Sequence, residues 1–120
     1  MRIGEVCLLT DNVPRLAAFY RELLGIPGVD NDPVHQTLLA EETMLTIYDD
    51  GLPKDNGSGN IRLAFTVGDM GKAYEKALRM DAEIIAPPTS RPWGAVNMSF
   101  YDPDRNVIYL RSFPQEAGLS

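Results

Sequence analysis

The sequence predicts an α+β domain built of two tandem βαβββ modules. A strand-then-helix pattern occurs twice, and each helix is followed by several short strand signals. Residues 5–10 precede Asp11-Asn12 and a helix-like run to Gly25; residues 62–67 precede Gly68-Asp69 and a run to Met80. The step from residue 5 to residue 62 is 57, and the same step carries Asn12 onto Asp69 and Leu16 onto Ala73. A pattern matched at a fixed offset marks a duplicated unit. At 120 residues, with 44% hydrophobic and 23% charged side chains, the chain has the length and composition of one folded domain.

Each element has a local cause. Asp11 or Asn12 can cap the first helix, and Pro14 suits its first turn, where an N–H has no helical partner. Leu16, Phe19, Tyr20 and Leu23 recur at i, i+3, i+4 and i+7, and Gly25 permits a left-handed stop. Asp69 caps the second helix, with Met70, Ala73, Tyr74, Ala77 and Leu78 as its apolar stripe and Lys72, Lys76 and Arg79 on its solvated side. Behind the first helix, strands are expected at 34–40 and 44–48, with a weaker signal near Val29. Behind the second they are expected at 83–86, 95–101 and 106–111. The turn from Asp102 through Pro103, Asp104 and Arg105 to Asn106 joins the last two as a hairpin. The run Pro87 to Pro92 is expected to be a surface loop. Module one spans about 1–50, a Gly/Asp/Asn-rich linker about 51–60, module two about 61–113, and a frayed tail 114–120.

Alternation assigns faces. Val6, Leu8, Leu45, Ile47, Leu63, Phe65, Val67, Ile108 and Leu110 take the helix side. Glu5, Cys7, Leu9, Thr46, Arg62, Tyr109 and Arg111 take the other, and Asn97, Ser99 and Tyr101 join them opposite Val96, Met98 and Phe100. Helices on one face leave the other free to curl round a cavity. This second face is more polar than a core tolerates, which suggests a wet pocket.

Charge and residue counts remove whole classes of function. The net charge is −6, from 17 acidic and 11 basic residues, which argues against nucleic acid as a partner. No apolar run approaches the roughly 20 residues of a membrane span, and the N-terminal run breaks too early for a signal peptide. A cytoplasmic protein is expected. One Cys cannot form an internal disulfide, and one His limits zinc and triad chemistry.

The chain resembles the vicinal oxygen chelate superfamily, which includes glyoxalase I, bleomycin-resistance proteins and extradiol dioxygenases. The matching pieces are Phe19-Tyr20 with Leu23-Leu24-Gly25, Pro92-Trp93-Gly94 before a strand, and Asp102-Pro103-Asp104 with Asn106 before the last strand, set in the doubled βαβββ. The resemblance implies a glyoxalase-like fold, with a helix on the convex face of each curved mixed sheet and a concave pocket. It also implies a two-fold homodimer and a divalent metal, held from the first strand of each half and the last strand of the second. Those positions hold Glu5, Arg62 and Tyr109. Arg62 has no lone pair to give, and a tyrosine is neutral at pH 7, so neither a metal nor another cofactor is expected. A second departure is Arg105, where the family usually has Gly; either Asn106 takes the left-handed position or the turn is of a different type.

These departures favour a metal-independent, bleomycin-resistance-like protein binding a planar, partly polar small molecule such as an antibiotic or aromatic metabolite. Its expected contacts are Glu5, Thr46, Arg62, Trp93, Asn97, Ser99, Tyr101, Tyr109 and Arg111. Glu5 and Arg62 either form a structural ion pair or touch the ligand. Trp93 either covers the core edge or stacks on the ligand; Arg111 lies at the pocket mouth or at an exposed strand end. His35 is expected on the surface, and Cys7 as a small filler near the pocket floor. The rival reading is a lyase, isomerase or dioxygenase-like enzyme of the same fold, with Glu5 as base or a metal on other ligands. A third is a regulatory module with a vestigial pocket.

Overall fold

In a computed structural model the elements run β1 (Glu5–Leu9), α1 (Val13–Leu24), β2 (His35–Leu39), β3 (Met44–Tyr48), β4 (Leu63–Thr66), α2 (Met70–Arg79), β5 (Glu83–Ser90), β6 (Val96–Tyr101) and β7 (Val107–Ser112). The structure describes residues 1–27, 31–40, 42–55 and 59–114. They divide into two compact units, Met1–Asp55 and Asn56–Ser120. No helix among the described residues is long and apolar enough to cross a membrane.

The first unit holds a sheet in the order β1-β3-β2, with β1 parallel to β3 and β2 antiparallel to it. The expected strand near Val29 lies outside the described residues. Asn12 caps α1 by accepting from the Arg15 N–H at 3.2 Å, and Pro14 sits in its first turn. Gly25, at φ 68°, ends it: its N–H reaches the Glu22 carbonyl, and that of Ile26 reaches the Arg21 carbonyl at 3.0 Å. Only a residue tolerant of positive φ fits there cheaply. The buried stripe is Val13, Leu16, Ala17 and Tyr20, with Phe19 and Leu23 half-buried. That is one step round the helix from the expected face.

The second unit holds a sheet in the order β4-β7-β6-β5, with β4 parallel to β7 and the other pairs antiparallel. Its first three strands repeat the pairing of the first unit, so the 57-residue step is a repeat of topology as well as of pattern. Asp69 caps α2 through the Lys72 N–H at 3.1 Å. Met70 and Ala77 are buried and Ala73 and Tyr74 half-buried, whereas Leu78, expected in the stripe, is exposed.

Two further expectations need correction. Pro87, Pro88, Thr89 and Ser90 are strand, not loop, because β5 continues to Ser90. Proline has no N–H for a ladder, but β5 is an edge strand, and its pairing with β6 skips register on both sides of Ala86. In the β6–β7 turn, Arg105 itself takes the left-handed conformation, at φ 65°, rather than Asn106. Its side chain gains contacts there: the guanidinium lies 4.0 Å from the Tyr101 ring centroid and meets the Glu83 carboxylate at 2.7 Å.

Two carboxylates, exposed Asp32 and half-buried Asp50, tie down two loops. The backbone N–H groups of Val34 and His35 hold the Asp32 carboxyl below its usual pKa. Lys54 does the same for Asp50, at the start of the stretch read as a linker, helped by the Leu52 N–H. Folded-state values below the unfolded ones mean that both contributions are present above the usual carboxylate range and are lost as pH falls.

Asp102 organises the hairpin turn. It is 3% exposed. Its Oδ1 accepts from the Asp104 and Asn106 N–H groups, each at 2.9 Å, and its Oδ2 from Asn106 Nδ2 at 2.8 Å. Replacing Asp102 by Ala strands buried donors and should cost about 2–4 kcal/mol of stability. Asn12→Ala, which removes one exposed cap, should cost about 1 kcal/mol. Urea denaturation of both variants checks the ranking, and equal losses would refute it.

Candidate functional site

In each sheet the paired registers place the expected residues on the face away from the helix. On the first sheet Glu5 lies opposite Met44, Cys7 opposite Thr46 and Leu9 opposite Tyr48, while Thr37 and His35 on β2 pair with Thr46 and Tyr48 from the other side. Leu9, Met44 and Tyr48 are exposed, and His35 meets the Tyr48 ring edge-on at 5.8 Å. Cys7 is exposed, not a filler. Thr46 is fully buried, and its hydroxyl donates to Glu5 Oε2 at 2.7 Å. Glu5 is thus oriented by the first unit's own sheet.

On the second sheet one polar row crosses all four strands: Thr66 on β4, Arg111 on β7, Asn97 on β6 and Thr89 on β5. The next row is Ala64, Tyr109, Ser99 and Ala86. Arg111 is exposed yet fixed: its Nε donates to Thr66 Oγ1 at 3.0 Å, and its guanidinium lies 5.1 Å from the Phe113 ring centroid. Asn97 Oδ1 is buried without a hydrogen-bond partner, and Ser99 is buried. Tyr101 stands at the far end, one ring face taken by Arg105. Arg62 precedes β4, and its Nη1 donates to the Gly59 and Ile61 carbonyls at 2.6 and 3.2 Å. Trp93 lies in the turn before β6 and is 66% exposed, so it does not seal the core.

Seven of the nine expected residues therefore fall into two groups, and Arg62 and Trp93 lie outside the strands. Asn97, Ser99, Tyr101, Tyr109 and Arg111 share one sheet face in the second unit. Glu5 and Thr46 share one in the first. Sequence reasoning passed over Thr66 as the acceptor for Arg111, although its i+2 spacing from Ala64 within the strand puts it on the same face as Arg111. It also passed over Phe113, whose signal was its i+2 spacing from Arg111.

A glyoxalase/bleomycin resistance protein/dioxygenase superfamily model matches residues 2–110. The chain belongs to that superfamily. It is similar to the uncharacterized protein YraH of Bacillus subtilis strain 168, at 27% identity over 92% of this chain and 97% of YraH. Among solved structures it is similar to a glyoxalase/bleomycin resistance protein/dioxygenase family enzyme from Burkholderia phytofirmans PsJN. There the identity is 16%, with 94% of this chain and 99% of that one covered and a TM-score of 0.77. It is also similar to lactoylglutathione lyase from Agrobacterium tumefaciens, at 17% identity, 92% coverage of each chain and a TM-score of 0.71. These likenesses show the glyoxalase-like fold.

The divalent metal that such a fold implies does not suit the residues here. Arg62 spends its guanidinium on carbonyl oxygens and has no donor pair. Glu5 spends one oxygen on Thr46. Among the described residues no three His, Cys, Asp or Glu side chains are grouped to hold a metal ion.

The Glu5–Thr46 bond is testable by a double-mutant cycle. Thr46→Val keeps the shape and removes the donor, and Glu5→Ala removes the acceptor. The coupling energy between the two should be about 1–2 kcal/mol by urea denaturation. A coupling below a few tenths would mean that the bond does not hold in solution.

Proposed function

We propose that the protein is a metal-independent small-molecule-binding member of its superfamily, akin to the bleomycin-resistance branch, and that it holds a planar, partly polar organic ligand. The observation that carries this reading is the open face of the second sheet. A core sheet would be apolar on both faces, but this one sets Thr66, Arg111, Asn97, Ser99 and Tyr109 side by side away from its helix. Desolvating such a row is costly unless something hydrogen-bonds to it. Arginine favours flat anionic or carbonyl groups, and the exposed Trp93 is available to stack on a ring. Glu5, Thr46, Arg62 and Tyr101 are further proposed contacts.

The same reading includes a homodimer in the cytoplasm. Exposed Leu9, Met44 and Tyr48 on the first sheet, and β1 at its edge, are features that a second subunit would protect. Light scattering at micromolar concentration should give twice the chain mass.

Two measurements test the binding reading. After dialysis, elemental analysis should find well under one zinc, nickel, iron or manganese per chain; a full equivalent would move the protein to the enzyme class. In a thermal-shift screen of antibiotics and aromatic carbonyl or carboxylate compounds, a binder at 100 times its Kd should stabilise the fold by about 2.7 kcal/mol. A screen in which no compound raises Tm defeats the reading.

A further inference from the structure

Asn97 and Arg111 are cross-strand neighbours on the open face of the second sheet. Arg111 anchors itself through Nε to Thr66 and lies against Phe113, which leaves its two terminal amino groups without a protein partner among the described residues. Asn97 Oδ1, beside it, is a buried acceptor with no donor. An unmet buried acceptor is destabilising, so a fold that keeps one needs a reason. The side chain forfeits no hydrogen bond when it turns about its Cβ–Cγ bond, so it can present that oxygen to an incoming molecule at little cost. The face then offers one donor and one acceptor side by side, on neighbouring strands whose side chains lie about 5 Å apart.

We propose that the ligand meets this pair with a cis-amide edge, a ring N–H next to a C=O, as in a lactam, a cyclic imide or a pyrimidinone. The carbonyl accepts from an Arg111 terminal amino group, and the N–H donates to Asn97 Oδ1. This rests on the small-molecule reading above and narrows it. A carboxylate would satisfy Arg111 but set its second oxygen against Oδ1, two acceptors face to face. A lactone would do the same with its ring oxygen. Oδ1 has no partner within the free protein, so a ligand N–H gains its bond without breaking one inside the fold. That asymmetry is what makes discrimination between N–H and O large in a site built this way.

The test uses three flat bicyclic probes of one shape: carbostyril, a lactam; coumarin, its lactone counterpart; and N-methylcarbostyril. Titration of the intact protein followed by ligand-observed NMR should show carbostyril binding at least about tenfold more tightly than the other two. Asn97→Leu should erase that preference while leaving Tm unchanged or higher, because it removes the orphaned acceptor. Asn97→Ser, shorter and still polar, repeats the test if the leucine variant does not fold. A protein that binds all three equally, or that keeps its preference in the Asn97 variants, overturns the cis-amide edge and leaves the binding reading intact. Failure of all three to saturate also overturns it, and the thermal-shift screen then decides the broader reading separately.

Discussion

Each half of this chain depends on one pairing: its first strand lies parallel to its last, β1 beside β3 and β4 beside β7. Parallel neighbours cannot be joined by a tight turn. The chain must leave, cross a face and return, and in both halves a helix makes that crossing. The helix then covers one face of the sheet and leaves the other without a helix. Everything chemical about the protein follows from the division. Alternate residues on the covered side are Leu45, Ile47, Phe100, Ile108 and Leu110, all buried. Their neighbours along the same strands are Thr46, Tyr101, Tyr109 and Arg111, set to the other side by the pleat.

The parallel pairing also explains why caps matter more than helix propensity here. The helices are short, 12 and 10 residues, and begin one turn after a strand ends. Isolated helices of that length are marginal in water. Asn12 and Asp69 each satisfy an N–H that the helix cannot, at equivalent positions of the repeat. Asp102 plays the corresponding part for the hairpin that returns the chain to β7. Short polar side chains thus set where the chain turns, and apolar alternation sets which way it faces.

That logic was legible in the residues, and so were the two helices and the strand faces that carry Glu5, Thr46, Asn97, Ser99, Tyr101, Tyr109 and Arg111. What was not legible has physical causes. Pro87 and Pro88 look like a loop because proline cannot donate; only the position of β5 at the sheet edge makes them compatible with strand. Arg105 sits at positive φ against its intrinsic preference, offset by contacts to Tyr101 and Glu83 that sequence spacing does not reveal. Leu78 has the right helical spacing for the core but falls beyond the strip that α2 buries. Alternation placed Asn97 on the open face, but it cannot report that an acceptor is left without a donor, because that depends on every neighbour at once.

The substitutions at the family's metal positions and the polar row on the second sheet are two sides of one argument. A metal organises a site by drawing ligands together with its charge. A metal-independent site, as proposed, needs Glu5 and Arg62 settled by other means, and each has partners within its own unit: Glu5 the Thr46 hydroxyl, Arg62 two backbone carbonyls. Groups held this way are pre-oriented, but they supply no Lewis acid. What the open face retains is recognition chemistry, a fixed guanidinium beside an unmet amide oxygen. An unmet acceptor lowers the stability of the free protein and repays that cost only when something donates to it. In the proposed reading, a face that combines such a group with fixed donors recovers that cost when a molecule of matching edge is held against it.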